Sequence, residues 1–186
     1  MVTIVTCGIL ECEVKKAVKN LKICLPVKVM PPQLHLYPSK LKEQLVHQLR
    51  EIEGSKIVVY GNCFPRIDEV CKQYNAERVQ GGTCYELVAG ERFYQLLKEE
   101  PGTYFLLPTL CEHFEELTSE LEMEKTRKIF FKNYRRSIFL DTGVLCGRCR
   151  EIAEKLELPY YRVYVGTEIL EEKLRKLIQI RDEKEK

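Results

Sequence analysis

Strand-like and helix-like apolar periods alternate along this chain from its first residues to its last, and the alternation points to the α/β class. Residues 2–6 form an apolar, β-branched run, and residues 11–21 switch to helical spacing. Residues 24–30 read as extended and stop at Pro31-Pro32, which a helix cannot absorb. Ser39 is placed to cap a helix carrying Leu41, Leu45, Val46, Leu49 and Ile52 on one face, with Gly54 as its stop. Residues 56–60 are the clearest strand, followed by a short helix over 67–74 and a strand over 77–80. Thr83 and Glu86 have capping-box spacing for a helix running to about residue 98. Past Pro101-Gly102 the pattern predicts a strand over 103–107, a helix capped by Thr109 and a second helix over 124–134. A strand over 137–140, a helix over 149–156, a strand over 161–165 and a terminal helix over 167–180 complete the chain.

Such an order implies a mostly parallel sheet with helices on both faces, a Rossmann-like three-layer arrangement. It is expected to form one compact unit over residues 1–180, with residues 181–186 as a charged, frayed tail. In parallel sheets ligands bind beyond the carboxyl ends of the strands. That rule selects which residues to consider for function.

Composition narrows the classes. Thirty basic and 28 acidic side chains leave a net charge of +2, which gives no whole-chain case for steering toward nucleic acid. A basic aromatic stretch contains Lys125, Arg127, Lys128, Lys132, Arg135 and Arg136 with Phe130, Phe131 and Tyr134; it reads first as a solvated helix face. The first residues have no basic leader or cleavage site, and no run of 18 uncharged apolar residues occurs. A cytoplasmic protein without a membrane partner is expected. Glutamate supplies 25 of the 28 acidic residues, a bias reported for heat-adapted proteins.

Nine cysteines are the unusual part of the inventory. In a cytoplasmic chain they are metal ligands or redox groups more often than staples. Cys7, Cys63 and Cys84 each fall just past a predicted strand end, the last two beside Gly61 and Gly81-Gly82, where backbone can approach a ligand closely. Cys84 also opens a helix, a position expected to favour its thiolate. Three thiolates would hold zinc with an open position, or an iron–sulfur cluster with one iron ligated otherwise. His35, in the loop after the second strand, is the best fourth ligand or proton donor. Glu86 could serve as a general base, although the capping box already accounts for it. Cys146-Gly147-Arg148-Cys149 is a local motif with three readings: a redox pair, an additional metal ligand, or no role. Cys24, Cys71 and Cys111 read as packing, and His47 and His113 as surface or packing residues. There is no Gly-x-Gly-x-x-Gly and no Walker loop.

Several of these elements occur together and in order. Cys7 with Leu10-Glu11, Leu34-His35-x-x-Pro38-x-x-Leu41, Tyr60-Gly61-Asn62-Cys63, Thr83-Cys84-Tyr85-Glu86 with Gly90, residues 101–106 and Asn133-Tyr134-Arg135-Arg136 resemble the family numbered sixteen thirty-eight among the domains of unknown function. The resemblance covers about residues 1–175. It implies functional weight at Cys7, His35, Cys63, Cys84, Tyr85 and Glu86, with Tyr85 and Glu86 as catalytic or supporting groups. It implies a microbial, often methanogen, setting near corrinoid-dependent methylamine methyltransferases, with a corrinoid protein or methyltransferase as partner. The Cys146/Cys149 pair is not part of that pattern.

The combined expectation is a protein with an iron–sulfur cluster or zinc at Cys7, Cys63, Cys84 and His35, acting in methyl-group, sulfur or corrinoid-related metabolism. Two alternatives stand beside it. One is metal-free thiol, redox or sulfur-transfer chemistry at Cys84; the other is a non-catalytic partner of a corrinoid methyltransferase system.

Overall fold

The structure is a computed structural model describing residues 2–119, 129 and 131–184. It is α/β, and all strand pairing is parallel. The strands divide between two sheets where the periodicity suggested one. The first sheet has the order β2-β1-β3-β4, built from β1 (Val2–Cys7), β2 (Val27–Met30), β3 (Ser55–Val59) and β4 (Ala76–Arg78). The second has the order β5-β6-β7, from β5 (Thr103–Leu106), β6 (Arg136–Asp141) and β7 (Tyr160–Tyr164). The reason for the split lies in the edges. β4 is three residues long and β7 carries exposed side chains, as edge strands do, whereas every residue of β1 and β3 is buried.

The helices are α1 (Glu11–Asn20), α2 (Pro38–Glu51), α3 (Ile67–Gln73), α4 (Cys84–Ala89), α5 (Glu91–Glu99), α6 (Pro108–Glu112), α7 (Phe114–Thr118), α8 (Cys149–Lys155) and α9 (Glu168–Lys184). Short 3-10 turns precede α1 (Gly8–Leu10) and α2 (Pro32–Leu36). Two expected caps are displaced for one reason. Pro38 and Pro108 take the first helical turn, where a missing N–H costs nothing, so Tyr37 and Leu107 become the cap residues in place of Ser39 and Thr109. The Thr83 cap is present: its hydroxyl accepts the Glu86 amide at 3.1 Å. The helix expected to continue from there breaks into α4 and α5 at Gly90, whose φ of +53° leaves the right-handed helical region. Most of the helix expected over 124–134, with Lys125, Arg127 and Lys128, lies outside the described residues. Arg136, from the same basic stretch, is committed to the fold: it donates to Thr103 Oγ1 at 2.8 Å and to the Leu96 carbonyl at 2.7 Å.

α1 joins the two sheets. Its Glu13 and Lys16 reach Thr142, just past β6, and its Asn20 donates to Glu171 of α9 at 2.8 Å. α9 runs through Lys184, past the expected end at 180. Arg181, expected in a frayed tail, is 8% exposed and donates to Asn75 Oδ1 at 2.8 Å beside β4. Among the described residues no helix is long and apolar enough to cross a membrane.

Candidate metal centre

β1 ends in Cys7. The neighbouring strand, β3, is followed by Tyr60, Gly61, Asn62 and Cys63, and β4 leads through Gly81-Gly82 into Cys84 at the start of α4. Parallel registry brings the three strand ends to one edge. Two glycines allow the connecting turns to touch. A Cβ on Gly61 would lie 2.9 Å from the Gly82 carbonyl oxygen, and the Asn62 amide donates to that same oxygen at 2.8 Å. A Cβ on Gly8 would lie 2.7 Å from the Met30 carbonyl oxygen, so the turn bearing Cys7 seats against the turn leading to His35.

Arg78 ties this edge together from below. Its guanidinium is buried, pairs with both oxygens of Asp68 (2.8 and 3.1 Å), and donates to the carbonyls of Tyr60 and Gly81 at 2.8 Å each. One fork thus fixes the backbone on the Cys63 side and on the Cys84 side.

Cys7, Cys63, Cys84, His35 and Tyr85 together line a cavity of about 180 Å³, with Ile9, Asn62, Gly82, Thr83 and Leu110. Leu110 belongs to α6, so the helix after β5 contributes to the wall of the cavity. A wider cleft of about 450 Å³ shares Asn62 and Cys63 with it.

The three thiols influence one another's ionisation. The neighbouring Cys84 lowers the Cys7 thiol against the opposing effect of burial. Cys84, reinforced by burial, raises Cys63. At Cys84 the neighbouring Cys63 favours ionisation, but Cys7 and burial outweigh that, and the thiol is raised. The expected thiolate at a helix start is therefore not the one this arrangement favours: Cys7 is lowered instead. Tyr60 is fully buried beside all three thiols; its hydroxyl makes no well-formed hydrogen bond, and the Cys7 thiol is the group it interacts with.

His35 Nδ1 lies 2.6 Å from the Pro32 carbonyl oxygen. A carbonyl only accepts, so Nδ1 carries the proton and Nε2 keeps its lone pair, the tautomer of a metal-ligating histidine. The Tyr85 ring packs against Phe93 and Phe105, at centroid distances of 6.1 and 5.5 Å, and lines the cavity next to Cys84. Glu86 is placed elsewhere. Its carboxylate accepts from the Gly82 amide at 2.6 Å and the Tyr94 hydroxyl at 2.8 Å, and it is not among the cavity-lining residues. Burial alone would raise that carboxyl, but these donors and Lys173 hold it below the usual range.

A second trio was not anticipated. Cys111, read as packing, has its sulfur within 4.8 Å of those of Cys146 and Cys149, and these three form the set of ligating atoms at that mutual spacing among the described residues. Cys7, Cys63 and Cys84 are spread more widely. Cys111 lies within α6 after β5, and Cys146 and Cys149 follow β6, so all three stand beyond the carboxyl ends of neighbouring strands of the second sheet.

The sequence matches the family described as a protein of unknown function, DUF1638, over residues 29–174. The chain belongs to this family. The match includes His35, Cys63, Cys84 and the Cys111/Cys146/Cys149 trio, while Cys7 precedes it. No curated protein and no solved structure matches this DUF1638 chain.

Proposed function

We propose that this DUF1638 protein carries an iron–sulfur cluster at Cys7, Cys63 and Cys84, with His35 at the remaining iron or beside it. The observation that carries the reading is the convergence of three thiols and a histidine with a free Nε2 on one 180 Å³ cavity. A water molecule's share of liquid volume is about 30 Å³, so this recess has room for an inorganic core of several atoms. The Tyr60 hydroxyl, without a well-formed hydrogen bond, and the Cys63 and Cys84 S–H groups suit a site completed by metal: binding removes the thiol protons and offers sulfur acceptors to the phenol.

An iron not held by cysteine provides a position where a substrate atom can bind. In the setting implied by the family resemblance, such a centre would serve methyl-group or sulfur chemistry with a corrinoid protein or methyltransferase as partner. Tyr85, on the cavity wall, would contact that substrate. Glu86 would act through the Gly82-Thr83 turn, fixing the backbone next to Cys84.

Anaerobic purification with iron and acid-labile sulfide analysis tests the reading. Stoichiometric iron and sulfide in the wild type, with loss of both in Cys63→Ala and Cys84→Ala, are expected. Iron-free wild-type protein, or variants that retain the cluster, would overturn it.

A further inference from the structure

The second trio has the geometry of a different kind of site. Cys146 and Cys149 have sulfurs 3.3 Å apart, non-bonded, and Cys111 completes a set whose three sulfurs all lie within 4.8 Å of one another. Tetrahedral zinc with Zn–S bonds of about 2.3 Å sets its sulfurs about 3.8 Å apart, so one ion can meet all three thiols with small adjustments. Cys111 and Cys149 are fully buried, and Cys146 is half-buried toward the surface.

The Cys146 thiol faces the Pro108 carbonyl at 3.6 Å, and the Cys149 thiol lies 4.0 Å from the Leu107 carbonyl. In the metal-free form the Pro108 carbonyl accepts the Cys146 S–H proton, and the single Cys149 proton has the Cys146 sulfur as its nearer acceptor at 3.3 Å.

We infer that Cys111, Cys146 and Cys149 form a second metal site, separate from the cavity, which binds one thiophilic ion of the zinc(II) type through three thiolates and leaves its fourth position to water. Binding breaks three S–H bonds, forms three S–metal bonds and releases three protons to solvent; no oxidant or reductant takes part. No fourth side chain joins the trio at ligating distance among the described residues, which is why the fourth ligand is water. The inference does not depend on the iron–sulfur reading, since no residue is common to the two sites.

The test uses the full chain, purified without oxygen and stripped of metal under reductant. Zinc is titrated against a competing chelator, and cobalt(II) serves as the spectroscopic probe. Wild type is expected to bind one zinc per chain at this site, and its cobalt form to show thiolate charge-transfer and tetrahedral ligand-field bands. Cys63→Ala should keep both signals. Cys146→Ser, at a half-buried position where folding is least at risk, should lose the cobalt bands and weaken zinc by at least about tenfold, the minimum cost of disturbing even a supporting group. Far-ultraviolet circular dichroism of Cys146→Ser should match that of the wild type, which confirms that it folds. Equal zinc affinity and unchanged cobalt bands in Cys146→Ser would overturn the inference. So would a fully reduced wild type that takes up no zinc.

Discussion

Glu13 is the residue whose replacement by glutamine gives the most direct reading of the seam between the two sheets. It sits in the first turn of α1, fully buried, with Oε1 accepting from Thr142 Oγ1 at 3.0 Å and Oε2 without a partner. Burial raises its carboxyl from 4.5 to about 7, against the lowering effects of its own backbone, Thr142 and Lys16 and with a further rise from Glu112. Lys16 is close but occupied, its ammonium donating to the Thr142 carbonyl at 2.9 Å. At about 1.4 kcal/mol per pKa unit the displacement corresponds to roughly 3 kcal/mol. The sign follows from proton counting. Between pH 4.5 and about 7 the unfolded chain has released this proton and the folded chain still holds it, so stability falls as pH rises through that window. The penalty is absent below about pH 4 and complete above about pH 8. Glu13→Gln keeps an acceptor for Thr142 and cannot ionise. Urea unfolding under reductant at pH 5 and pH 8.5 should give a wild type that loses roughly 2–3 kcal/mol more than the variant between the two values. Parallel stability profiles for the two proteins would refute the reasoning.

The site makes further outcomes testable. Arg78→Lys replaces a fork holding Asp68 and the Tyr60 and Gly81 carbonyls by a single ammonium; thermal or urea unfolding should report a loss of about 2–4 kcal/mol, and iron retention should fall with it. Gly61→Ala places a methyl group 2.9 Å from the Gly82 carbonyl oxygen, which pushes the Cys63 and Cys84 turns apart; iron content should drop sharply while far-ultraviolet circular dichroism stays that of the wild type. Tyr60→Phe removes a buried hydroxyl without a well-formed hydrogen bond, so the metal-free protein should be as stable as wild type or more stable by up to about 1–2 kcal/mol, with any loss confined to the metal-loaded form.

The convergence of Cys7, Cys63 and Cys84 on one cavity was legible because it depends on a rule that needs only strand ends. Cys7, Cys63 and Cys84 follow three strands, and parallel pairing puts their ends on one edge whatever the strand order. The division into two sheets was not legible, since apolar periodicity identifies strands but not their partners, and only the brevity of β4 and the exposed pattern of β7 mark the edges. Ser39 and Thr109 failed as caps where a proline one residue earlier occupied the first helical turn. Cys111 failed for another reason: a cysteine in an apolar context is ordinarily packing. Only the fold reveals that the loop after β6 carries Cys146 and Cys149 back to it.

The nine cysteines consequently divide by position in the fold. Three stand at the ends of the first sheet and three at the ends of the second, both sets beyond carboxyl-terminal strand ends. Cys12, Cys24 and Cys71 remain: Cys24 is exposed, Cys12 is half-buried on α1, and Cys71 is fully buried with a thiol raised to about 12 by burial, a packing residue by chemistry as well as position. The two trios are separated by α6. Its Leu110 lines the cavity of the first site, and the next residue, Cys111, belongs to the second. Successive residues on a helix point about 100° apart, so a five-residue helix can face two sites only if it is held in one rotation. A metal bound through Cys111 would impose that rotation and with it the position of Leu110. The second trio is therefore placed to set the shape of the cavity without contacting whatever binds there.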